Sequence, residues 1–189
     1  KSSITYLSKY TLIGFYHVVP RGLDHILFVL GLFLLSLKTS VLLWQISAFT
    51  MAHTLTLIAS AFGLINIDPS IVEPLIAASI VYISVENIFL SNLNRWRTAI
   101  VFALGLLHGL GFATVLAEFG FPNEQFLPAL IGFNIGVELG QLSVIFVAYM
   151  LIGMVFGKKQ YYRSFITIPA SCIIALTGCW WVFERIFIS

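Results

Sequence analysis

Long apolar runs, separated only by short polar turns, recur from one end of this chain to the other. A run of about 20 apolar residues is enough for a helix to cross the hydrocarbon core of a bilayer. Inside hydrocarbon every backbone N–H and C=O must be bonded within the segment, so such runs fold as helices. The expected fold class is therefore all-α, a polytopic transmembrane helix bundle. The pattern places about six spans, near residues 22–38, 41–64, 71–91, 98–117, 126–153 and 164–187. The first is short and opens on a polar cluster. The fifth is long and has to tilt.

Residues 1–20 follow a different pattern. Ile4, Leu7, Leu12, Phe15, Tyr16 and Val19 interleave with Ser8, Lys9 and Thr11, which suits an interfacial helix lying in the membrane surface. Pro20 and Gly22 then break it. Without a low-complexity run, a charged tail or a long linker, residues 1–189 read as a single transmembrane domain. No signal peptide is visible and the first residue is Lys1 rather than Met, as expected of a chain trimmed from a longer protein.

Charged residues make up 10% of the chain, against about 25% in soluble domains. The net charge of +2 is scattered, which excludes a nucleic-acid footprint. Lys38, Arg95, Arg97, Lys158, Lys159 and Arg163 fall on one side of the bundle. Asp68, Glu73, Glu118 and Glu124 fall on the other, with basic residues there only near the termini. The positive-inside rule then puts both termini outside, in the inner (cytoplasmic) membrane of a bacterium. Trp180 and Trp181 suit an outer aromatic belt and Trp96 an inner anchor. Cys172 and Cys179 are separated by roughly 10 Å of helical rise, too far for a disulfide.

Against this background the ionisable residues within spans stand out, because a charge at membrane depth costs at least about 2.5–3.5 kcal/mol. His53, Glu86, His108 and Glu138 lie within spans. Asp24 and His25 open the first span, and His17 is close by. Thr50 shares a helical face with His53, Tyr82 with Glu86, and Asn134 and Gln141 with Glu138. Gly132, Gly136 and Gly140 form a small-residue ridge on the fifth span, and Gly105, Gly109 and Ala113 another on the fourth. Such ridges let backbones approach closely.

Histidine and carboxylate without thiolate suit nickel, cobalt, zinc, iron or manganese. Asp24, Glu86 and Glu138 would bring three negative charges, which two divalent ions with a hydroxide, or one ion with a protonated carboxylate, would balance. A proton relay uses the same residue types, and buried hydrogen bonding is a third account. No HExxH, CxxC or phosphate-cradling loop is present.

The blocks PRGLDHILFVLGLFLLS, AFTMAHTLTL, VEPLIAASIVYISVEN, GLLHGLGFA and FNIGVELGQ, in this order, resemble the HupE/UreJ family of bacterial membrane proteins. The resemblance runs from about residue 14 to about residue 145. It implies a small polytopic protein linked with nickel or cobalt handling. The family signature of a His, a Gly-containing spacer and Asp-His maps onto His17, Gly22, Asp24 and His25, with six residues between His17 and Asp24.

Three functions follow as expectations. A transporter would capture a divalent metal at His17, Asp24 and His25 and hold it on His53, Glu86, His108 and Glu138. An intramembrane metal-dependent hydrolase would activate water on one or two ions for a lipid or membrane-peptide substrate, with Glu86 or Glu138 as base. A metal sensor or accessory protein would serve a metalloenzyme-maturation partner. Membrane lipids and the metal ion are partners under each.

Overall fold

The computed structural model describes residues 3–111 and 125–188. These form seven helices and no strand: α1 Ser3–Val18, α2 Leu23–Leu35, α3 Thr39–Ala61, α4 Pro69–Phe89, α5 Arg97–Gly111, α6 Phe126–Phe156 and α7 Arg163–Phe187. A π-type turn runs over Tyr149–Gly153 within α6, and another over Arg163–Thr167 opens α7. Asp68 caps α4 by accepting the N–H of Ser70, with Pro69 in the first turn, where its missing donor costs nothing. That hydrogen bond holds the Asp68 carboxyl below its ordinary range.

The all-α fold is as expected, but six spans is more than the described helices display. α3, α4, α6 and α7 are each long and apolar enough to cross a membrane. α1 and α2 make a fifth only as a pair, bent by 72°. The expected first span shrinks to the 13 residues of α2, about 20 Å of helix, because the chain turns extended at Ser36. α5 has 15 residues. The rest of the expected span 98–117, together with Ala113, Glu118 and Glu124, lies outside the described residues.

Glycine sets how the helices pair. α1 lies along α6 in the same direction, with Leu7 against Gly132, Thr11 against Gly136 and Val18 against Gly140. A Cβ on Gly136 would sit 2.1 Å from the Thr11 carbonyl oxygen, so only glycine permits this approach. α3 and α5 pair in the same way, Gly105 on Phe49 and Gly109 on His53. α7 runs opposite to α4: Gly178 packs on Ala77 and Val81, and Arg185 donates to the Glu73 carbonyl at 2.8 Å.

This pairing fixes the depth of the break between α1 and α2. Val18, the last residue of α1, packs on Gly140, near the middle of α6. The chain then bends tightly over residues 19–22, with a cis Val19–Pro20 bond. A Cβ on Gly22 would lie 2.3 Å from the His17 carbonyl oxygen. α2 continues to the far end, where Thr167 donates to the Leu34 carbonyl. The two helices are thus halves of one interrupted path, and the interruption falls at mid-bundle.

Two apolar clusters flank that point. Phe28, Phe33, Phe49, Ile80 and Ile83 belong to the larger, and Tyr10, Leu57, Phe133 and Val137 to the smaller. Trp44, Met51, Leu151 and Leu176 face outward, the surface a bilayer would wet. Cys172 and Cys179 are free thiols.

Candidate metal centre

The break in the first path brings histidines together that the sequence holds apart. His17 lies in the last turn of α1 and His25 in the first turn of α2. His53 comes in from α3, where Gly109 of α5 packs on its backbone. Each offers one ring nitrogen, and the three nitrogens lie within 4.8 Å of one another. Ring centroids are 4.8 Å apart for His17–His25, 5.8 Å for His25–His53 and 6.1 Å for His17–His53. His108 of α5 stands beside them, 5.1 Å from His25. Phe28, Phe49 and Phe133 wall the group.

Hydrogen bonds orient two of these rings. Asp24 Oδ1 lies 3.2 Å from His25 Nδ1 and also accepts the His25 backbone N–H at 3.0 Å. A carboxylate can only accept, so Nδ1 carries the proton and Nε2 presents a lone pair. His25 Nε2 is buried and has no hydrogen-bond partner among the described residues. On α4 the Ser79 hydroxyl donates to the Ile76 carbonyl at 2.7 Å. Its oxygen therefore accepts from His108 Nε2–H at 2.9 Å. His108 Nδ1 is then the lone pair, likewise buried without a partner among the described residues. A carboxylate or hydroxyl behind a histidine is the usual way to fix the tautomer of a metal ligand.

A cavity of about 460 Å³ reaches this group from one end of the bundle. His17, Asp24, His25 and His108 line its inner part, and Arg21, Glu73 and Arg185 its outer part. On the other side of the histidines Phe28, Val29, Leu32 and Phe33 are packed with no more than 1% exposure, so the described core closes there.

Two expected carboxylates are elsewhere. Glu86 is buried against the equally buried Arg97, with Nη1 2.6 Å from Oε2. It lies seven residues beyond Ser79 on α4, about 10 Å from the level of His108. Glu138 accepts from the Ser47 hydroxyl at 2.8 Å, in a part-exposed seam between α3 and α6. Neither joins the histidines, so the three-carboxylate charge sum does not apply to the cluster. Among the described residues Asp24 is its one adjoining carboxylate. Of the supporting residues, Thr50 donates to Gln141 and Thr54 to Asn134, along the same seam. Tyr82 is 46% exposed, away from the cluster.

Two buried partners of the expected site residues carry no clear mark in the sequence. Arg97 looked like an inner-face loop residue, yet it opens α5 and is 1% exposed. Its opposite charge to Glu86, across one short loop, was the available signal. Ser79 is one of many serines in the sequence, and nothing local marks it as the partner of His108.

A family model described as HupE / UreJ protein matches residues 1–185. The chain belongs to the HupE/UreJ family. No curated protein and no solved structure matches it. HupE/UreJ proteins are membrane proteins associated with nickel and cobalt. A pocket of imidazoles with no thiolate among its lining residues is compatible with those ions.

Proposed function

We propose that this HupE/UreJ protein binds a divalent transition metal ion, nickel or cobalt by the association of its family, and carries it across the inner membrane. The observation that carries the proposal is the set of three histidine nitrogens within 4.8 Å of one another at the break between α1 and α2. Transporters commonly place their ion where an interrupted helix exposes a site near the midplane. His17, His25 and His53 hold the ion, Asp24 orients His25, and His108 receives the ion from the cavity. Glu73 and Arg185 mark the end where the cavity opens. Lys38, Arg95, Lys158 and Lys159 crowd the opposite end. The positive-inside rule therefore turns the cavity, and both termini, outward.

Protein sealed into liposomes should take up external nickel or cobalt faster than empty liposomes, and His53→Ala should abolish the difference. Stoichiometric metal binding with no flux would reject transport.

One observation favours a second reading, an intramembrane metal-dependent hydrolase. The cavity, at about 460 Å³, falls within the range of small-molecule pockets, about 300–1,000 Å³, and far exceeds the needs of a bare ion. A three-histidine centre also keeps a coordination position open for water. In that reading Asp24 is the carboxylate placed to assist, with Glu73 farther out in the same cavity, because Glu86 and Glu138 are paired elsewhere.

A further inference from the structure

Glu138 lies two residues past Gly136, about 200° round α6, and so faces away from α1. It is twelve residues from the start of α6, about 18 Å along the axis and within the depth of a hydrocarbon core. Its carboxyl is part-exposed on the outer surface of the bundle. Ile135 and Leu139 on α6, and Trp44 and Met51 on α3, present exposed apolar side chains around it.

Its one hydrogen-bond partner among the described residues is Ser47, whose hydroxyl donates to Oε1 at 2.8 Å. No Lys, Arg or His nitrogen lies within ion-pairing distance of it among those residues. The one ionisable side chain of α3, His53, is six residues from Ser47 and belongs to the histidine cluster. Asp24 and His25 of α2 are paired with each other. Lys9, His17 and the tyrosines of α1 lie across the glycine ridge on the opposite side of α6.

The other hydrogen bonds of the seam form without Glu138, and Gln141 Nε2 is buried with no hydrogen-bond partner among the described residues. Thr50 donates to Gln141 at 3.0 Å, Thr54 donates to Asn134, and Asn134 donates to the Leu130 carbonyl at 2.9 Å. A glutamine at 138 would serve this packing equally well. An ionised carboxylate facing hydrocarbon with no counter-charge is strongly disfavoured. A divalent ion on a single carboxylate would leave a positive charge instead. A sodium ion needs several oxygen ligands, and the Ser47 hydroxyl is the one side-chain oxygen in hydrogen-bond contact with Glu138 among the described residues. One proton leaves the group neutral with no further ligand.

We infer that Glu138, supported by Ser47, is a membrane-facing proton-exchanging site, separate from the histidine cluster. The test is reaction of the wild-type protein, in phosphatidylcholine vesicles, with the apolar reagent dicyclohexylcarbodiimide, which adds to a protonated carboxyl. The adduct is located by peptide mass spectrometry. Glu138 should carry it, and the rate should fall about tenfold for each pH unit once the acid ionises. Sodium should not alter the rate, and Glu138→Gln should remove the adduct while leaving the unfolding temperature unchanged. An absent adduct or a pH-independent rate would overturn the inference. So would protection by sodium at constant pH, or equal labelling by a water-soluble carbodiimide. None of these readouts involves a transition metal, so the inference stands or falls apart from metal binding.

Discussion

Asp24 Oδ1 lies 3.2 Å from His25 Nδ1 and accepts the backbone N–H of the same residue. Two neighbours on a helix point about 100° apart, so both reach one centre only if one works through the other. Here the carboxylate holds Nδ1 of the ring, and the buried Nε2 is left free for a ligand. Replacing Asp24 with Asn should lower metal affinity about 10–100-fold while leaving an ion bound, as loss of an orienting carboxylate does elsewhere. Competition against a chromophoric chelator in detergent measures this. Unchanged affinity would separate Asp24 from the centre.

The buried Glu86–Arg97 pair should behave as a structural element. Glu86→Gln leaves the Arg97 guanidinium buried with its charge unpaired. Removing one partner of such a pair costs about 3–5 kcal/mol. The unfolding temperature in detergent should fall, while metal bound per folded molecule stays the same. Replacing both residues together, Glu86→Leu with Arg97→Met, should recover much of the loss. Loss of metal in a folded Glu86→Gln protein would place Glu86 at the centre after all.

The fit of α1 on α6 should control the histidines at a distance. Gly136→Ala puts a methyl group 2.1 Å from the Thr11 carbonyl and 2.7 Å from the Phe15 nitrogen. Both are backbone atoms, so α1 has to move. Overpacking of this kind costs about 1–3 kcal/mol. Because His17 lies in the last turn of α1, metal affinity should fall along with stability, and Gly136→Leu should do more of both. A Gly136→Ala protein with lowered stability and wild-type affinity would show that His17 does not depend on this contact.

His108 should affect loading more than holding. It lines the cavity, and His25 is its neighbour, but it lies outside the group of three close nitrogens. His108→Ala should retain bound metal at saturation and slow its acquisition in stopped-flow measurements. Complete loss of metal would make His108 a ligand equal to the other three.

Much of this was legible from composition and spacing, because hydrocarbon leaves a chain few choices. The apolar runs marked the helices, and the glycine ridge of α6 announced a close helix contact before its partner was known. His17, Asp24 and His25 were singled out as polar residues at the start of an apolar segment. The sequence did not show that α1 descends along α6 to mid-bundle, because amphipathic residues serve a membrane surface and a helix groove equally. Nor did it show that Glu86 and Glu138 leave the site. Which residue a buried carboxylate meets depends on the rotation of the neighbouring helix, and hydropathy does not encode that rotation. Arg97 and Ser47 settle those two cases from other helices.

The central claim is that His17, His25 and His53 share one ion. The most direct measurement is transition-metal content per chain, by mass spectrometry of protein purified after exposure to nickel or cobalt and gel filtration. Wild-type protein should retain about one ion per chain, and His25→Ala should retain none while keeping its helical circular dichroism. Wild-type protein free of metal, or a folded His25→Ala protein carrying as much as wild type, would contradict the account.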